Sequence, residues 1–120
     1  MGYRSDVGFC LSAKGKEALD AALAEAEKSK EHYTLVMGLL DKANSRITAD
    51  DGTVAYLWQN LKWYADYSDV SFIENLLHSL DHNDYLFIRV GESDDDTEIH
   101  GGFWNNPFGM CLVRGIVFDA

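Results

Sequence analysis

Proline and cysteine are scarce in this chain of 120 residues, which holds one proline, Pro107, and two cysteines, Cys10 and Cys111. Two thiols at opposite ends of a chain do not make a disulfide framework, and no Cys-x-x-Cys spacing marks a zinc or redox site. Both lie in apolar runs, GFCLS and GMCLVRG, which suits buried free thiols. No apolar run approaches the ~20 residues that span a bilayer. No basic segment leads into an apolar stretch at the start, so no secretory signal is read and a soluble, cytoplasmic protein is expected. Basic side chains are few as well. Ten Lys and Arg stand against twenty Asp and Glu, for a formal net charge of -10. Such a surface repels phosphate, which argues against direct nucleic-acid binding.

The remaining composition is that of a globular protein, 47% hydrophobic and 25% charged. A chain this long forms one domain and buries roughly two-thirds of its unfolded surface. The charge is uneven. Met1–Asn60 carries seven basic and nine acidic residues, whereas Leu61–Ala120 carries three basic and eleven acidic. Five acids crowd one short stretch: Glu92, Asp94, Asp95, Asp96 and Glu98. A cluster this dense stays folded when it is solvated or faces a cation or a basic partner.

Periodicity predicts the elements. Val7–Leu11 reads as a strand, and Ser12 as the N-cap of an amphipathic helix over Ala13–Lys28, with Gly15 weakening its first turn. A short helix follows from His32 to Lys42. A strand begins at Ile47, turns at Ala49-Asp50-Asp51-Gly52 and returns over Thr53–Trp58, with Val54, Tyr56 and Trp58 on one face. Leu61–Tyr64 continues it after a bulge at Gln59-Asn60. Ser68, Asp69 and Ser71 are all cap candidates, Ser71 with Glu74 at capping-box spacing, for a helix striped by Ile73, Leu76, Leu77 and Leu80 with Val70 and Phe72 near its start. In the strand Tyr85–Val90, the residues Leu86, Ile88 and Val90 are assigned to the core, and Tyr85, Phe87 and Arg89 to the other face. Thr97–Ile99 and Met110–Phe118 complete the strands, with Gly115 as a bulge. The order predicts an α+β two-layer sandwich, a mainly antiparallel sheet with two long helices packed on one face.

Four stretches together, GYRSDV at Gly2–Val7, LKWYADYSDVSFIENLL at Leu61–Leu77, FIRVGESDDDTE at Phe87–Glu98 and the closing IVFD, resemble a family of small proteins encoded by tailed bacteriophages and prophages. The resemblance implies origin rather than mechanism. It points to a phage accessory protein in the host cytoplasm. By class analogy, such small acidic proteins occupy host proteins, including defence nucleases and CRISPR complexes.

No catalytic constellation emerges. His78 and His82 have i, i+4 spacing but no third ligand, so no metal is assigned, and the acidic stretch lacks an EF-hand pattern. Glu98 and His100 share a strand face without a nucleophile. No phosphate-binding loop, dinucleotide fingerprint or nucleophile elbow occurs, and no cofactor is expected. Arg4 has two candidate partners, Asp6 and Asp69, and Tyr3 is a candidate cap on the core. The residues assigned to partner binding are Glu92, Asp94, Asp95, Asp96 and Glu98, with Phe103 and Trp104 as aromatic anchors from a Gly- and Asn-rich loop. The expected partner is a host protein with a basic surface. The alternative is a self-associating structural or virion-associated phage protein without an inhibitory role, in which a sheet edge or an aromatic face makes a homodimer.

Overall fold

The computed structural model describes residues 2–113 together with Ile116 and Phe118. The elements run β1 (Ser5–Leu11), α1 (Ala13–Ala26), α2 (Lys30–Asp41), β2 (Ser45–Thr48), β3 (Val54–Leu61), α3 (Ser68–His78), a 3-10 turn (His82–Asp84), β4 (Tyr85–Gly91) and β5 (Thr97–Gly101). The strands form one antiparallel sheet in the order β2-β3-β1-β4-β5. The α+β class and the antiparallel sheet are as the sequence predicts. The middle helix, α2, is as substantial as the others: it has 12 residues against 11 in α3.

Alternation divides the sheet cleanly. Val7, Phe9 and Leu11 of β1, Val54, Tyr56 and Trp58 of β3, and Tyr85 and Phe87 of β4 share one buried cluster with Leu19 of α1, Val36, Leu39 and Leu40 of α2, and Val70, Ile73 and Leu77 of α3. All three helices therefore contribute to the core on this inner face. An aromatic chain runs through it, with ring centroids 5.1 Å apart for Phe9 and Tyr56, 5.8 Å for Tyr56 and Trp58, and 5.5 Å for Trp58 and Trp63. Trp58 reconciles burial with its polar N–H by donating to the Leu39 carbonyl at 2.9 Å. Burying such a ring stabilises the fold by about 2–3 kcal/mol.

The faces of β4 are the reverse of the expected assignment. Tyr85 and Phe87 enter the helix-covered core, while Leu86 and Ile88 join Cys10 in a second cluster on the opposite face. Both faces of this strand are apolar, so alternation alone does not say which one meets the helices. The second cluster is covered by Phe103, Phe108, Met110 and Leu112 from the segment after β5.

That segment also departs from expectation. Met110–Val113, Ile116 and Phe118 are not strand. Arg114, Gly115 and Val117, and with them the expected bulge, lie outside the described residues. The reason is Asn106, which is buried. Its amide donates to the carbonyls of Phe103 (2.9 Å) and Met110 (3.3 Å) and accepts from the amides of Phe108 (3.2 Å) and Met110 (2.9 Å). One side chain thus ties the loop into a compact knot that crosses the sheet instead of adding to its edge.

Two local corrections have similar causes. α3 begins at Ser68, within the run of cap candidates, but Tyr67 is its N-cap and makes no side-chain cap bond, and Glu74 accepts from the Trp63 indole at 3.0 Å instead of closing a capping box with Ser71. Gly15 is no simple weakness. Ser12 caps α1 by accepting from the Gly15 amide at 3.1 Å, and a Cβ at Gly15 would lie 2.8 Å from the Asp84 carbonyl. The helix start is pressed so closely onto the 3-10 turn that only glycine fits.

Candidate functional site: the acidic hairpin end

The sheet ends where the start of β1, the end of β3 and the β4–β5 hairpin meet. The loop from Glu92 to Asp96 joins β4 to β5 and is closed by Gly91 N–H to the Asp96 carbonyl at 2.8 Å. Its geometry is set by Arg89, whose side chain is only 12% exposed. The guanidinium reaches Asp96 through two nitrogens at 2.6 and 3.1 Å, Glu98 through Nε at 2.6 Å, and the Ser5 hydroxyl at 3.0 Å. Arg–carboxylate forks of this kind combine charge with a fixed plane.

The four residues after Gly2 complete the latch. Tyr3 donates its hydroxyl proton to Asp96 at 2.5 Å and accepts from the Ser93 amide at 3.1 Å. The Arg4 amide donates to Glu92 at 2.5 Å, and its guanidinium donates to the Asn60 carbonyl at 3.0 Å. Ser5 accepts from Arg89, and Asp6 accepts from the Asn60 amide at 3.0 Å. Asn60 has φ 56 at the bulge of β3, a left-handed conformation that asparagine tolerates. Neither expected Arg4 partner forms an ion pair with it among the described residues. Tyr3 does not cap the core; it is 37% exposed and clasps the hairpin.

The electrostatics follow from these contacts. Hydrogen bonds from Arg89 and then Tyr3 hold the Asp96 carboxyl below its ordinary value. Partial burial pushes Glu98 up, but the bonds from Arg89 and His100 outweigh it, and Glu98 also lies below the usual carboxylate value. The hydrogen bond to Asp96 above all raises Arg89, against the opposing effect of burial.

The five clustered acids therefore fall into two groups. Asp96 and Glu98 share the protein's own Arg89, which offsets one of their two charges. Glu92, Asp94 and Asp95 are exposed, and among the described residues none of these three meets a basic side chain within 4.0 Å. The aromatic anchors lie elsewhere. In the β4–β5 ladder Val90 pairs with Thr97 beside the acidic loop, while Leu86 pairs with Gly101 at the other end. Phe103 and Trp104 follow that far end. Phe103 packs on the outer face of the sheet, and Trp104 is half exposed. The fold does not bring them to the carboxylates.

The histidines are similarly dispersed. His78 closes α3 and meets His100 edge-on at 5.2 Å, while His82 belongs to the next turn. His100 lies 3.3 Å from Glu98, whose other oxygen is held by Arg89. Among the described residues, no group of three or more His, Cys, Asp or Glu is placed to hold a metal ion. No helix among them is long and apolar enough to cross a membrane. Cys10 is buried and its thiol is pushed up to about 12, chiefly by desolvation. Cys111, expected to be buried, is exposed.

Sequence reading misses two organising residues, Arg89 and Asn106. A lone arginine nine positions before Glu98 on a predicted hairpin is a signal for the first. Asn106 follows a second asparagine and precedes proline, which marks a turn but not its four bonds. No family model matches the chain, and neither the curated proteins nor the solved structures include a match.

Proposed function

We propose that this chain is a phage- or prophage-encoded accessory protein that acts by binding, not catalysis, and that it docks on a basic surface of a bacterial host protein. In its specific form the reading is that of a host-defence inhibitor of the anti-CRISPR kind, acting in the host cytoplasm. The observation that supports it most is the split of the acidic loop. Arg89 binds Asp96 and Glu98, and in doing so fixes the hairpin with Asp94 and Asp95 turned to solvent and Glu92 exposed beside them, one of its oxygens held by the Arg4 amide. A rigid rim of carboxylates binds a cationic surface at a lower ordering cost than a floppy loop does. It also steers the encounter. Trp104, at the far end of β5, is a separate anchor of the same partner or of none.

The test is a pull-down from bacterial lysate at low and high salt, followed by association kinetics on the protein captured. The wild type is expected to retain a basic protein at low salt and to lose it at high salt. The variant E92Q/D94N/D95N is expected to associate about tenfold more slowly at low salt. Equal on-rates for the two would remove the rim from the reading.

A further inference from the structure

The outer face of the sheet carries almost no charge, although the protein as a whole carries -10. Cross-strand partners place Gly8, Ala55, Leu57, Ile88 and Ile99 on this face, beside Cys10 and Leu86. The one carboxylate that alternation sends there is Asp6, opposite Val90 at the rim. The segment after β5 covers only the middle of the face. On the β2 side Ile47 stays 51% exposed and Leu57 37% exposed. A groove of about 350 Å³ opens there, with Ile47, Ala55 and Leu57 on one wall and Phe108, Met110 and Val113 on the other. Three apolar residues near the end of the described chain stay exposed. Val113, Ile116 and Phe118 are 82%, 93% and 95% exposed. Apolar side chains so fully hydrated, on a chain that also carries an unfilled apolar groove, mark an association surface.

We infer that two copies of this chain pair through this face, with Ile116 and Phe118 of each covering Ile47 and Leu57 of the other. Two features select a second copy as the occupant. The projecting side chains and the groove belong to the same chain, so a two-fold axis satisfies both at once and closes the assembly at two. A foreign partner would have to supply its own groove and its own projection. Charge points the same way. Acidic copies repel one another across most of their surface, and a nearly uncharged face is where they can approach. The inference stands apart from the acidic rim, which lies on the hairpin end.

Sedimentation velocity of the full chain from about 5 to about 200 µM tests it. The wild type is expected to be a dimer at the upper concentrations. I116D/F118D removes the projection and I47D spoils the groove, and each is expected to weaken dimerisation at least tenfold. All three positions are exposed, so thermal melts of both variants should match the wild type and separate lost association from lost folding. Mixing the two variants should restore a heterodimer, because one of the two reciprocal contacts is then intact. A wild-type monomer at about 200 µM, open-ended oligomers, or a dimer that survives both variants would each overturn the proposal.

Discussion

Arg89 grips Asp96 with two nitrogens, at 2.6 and 3.1 Å, across the hairpin they both belong to. Its Nε is already committed to Glu98 and one of its terminal nitrogens also reaches Ser5, so the loop, β5 and β1 share a single guanidinium. R89M keeps much of the side-chain volume and removes every one of these bonds. It is expected to cost about 2–3 kcal/mol, the scale of hydrogen bonds to charged groups. Urea unfolding measures the loss. Hydrogen exchange at the Gly91 and Ser93 amides should accelerate more than exchange in the β1–β3 ladder, and uniform acceleration would contradict the local latch.

Acid should undo the same latch. Asp96 and Glu98 sit below their ordinary values when folded. A carboxylate with a depressed folded value contributes stability that is present above its unfolded value, roughly pH 4, and is lost as pH falls through the folded value. Asp51, lowered by the Thr53 hydroxyl and amide, acts in the same direction. Stability of the wild type is expected to fall below about pH 4, and the gap between wild type and R89M should narrow there. A gap that stays constant from pH 7 to pH 3 would exclude Arg89 as the cause.

Gly91 has no room for a methyl group. A Cβ there would collide with the Asp96 carboxylate and the Tyr3 hydroxyl. G91A should therefore eject Asp96 from its position and reproduce part of the R89M phenotype. Gly38 provides the contrast. It lies inside α2, where an added Cβ would meet nothing within 4 Å, and G38A should stabilise by up to about 1 kcal/mol through helix propensity. Thermal melts of the two variants should move in opposite directions.

Asn106 holds its loop with four hydrogen bonds while buried. N106A leaves those backbone groups unmatched and should cost about 2–3 kcal/mol. It should also loosen the segment over Cys10. With a thiol reagent at pH 8, the wild type is expected to show one fast cysteine, the exposed Cys111, and the variant a second. A single reactive thiol in both proteins would show that the cover does not depend on this side chain.

Much of the sheet is legible in the sequence because its strands carry alternation and its turns carry Asp-Gly and bulge signals. Val54, Tyr56 and Trp58 face the core as their spacing says, and the bulge at Gln59-Asn60 lies where β1 and β3 change register. β4 defeats the same reasoning because both of its faces are apolar. The closing segment misleads because Met110–Phe118 has strand composition, while a buried side chain upstream directs its path. Along the acidic stretch, residue types disclose the density of charge but not its division. That division depends on Arg89 and Tyr3, the latter 93 residues from Asp96.

β1 is the first strand of the chain and the middle strand of the sheet, flanked by β3 and β4. During synthesis it emerges before both of its neighbours and acquires the second only once residue 91 has followed. The hydrogen-bonding groups on its β4 side wait, unmatched, until that strand has been made. Such late closure favours slow folding, and it makes the nascent chain a natural client for chaperones that shield apolar strands.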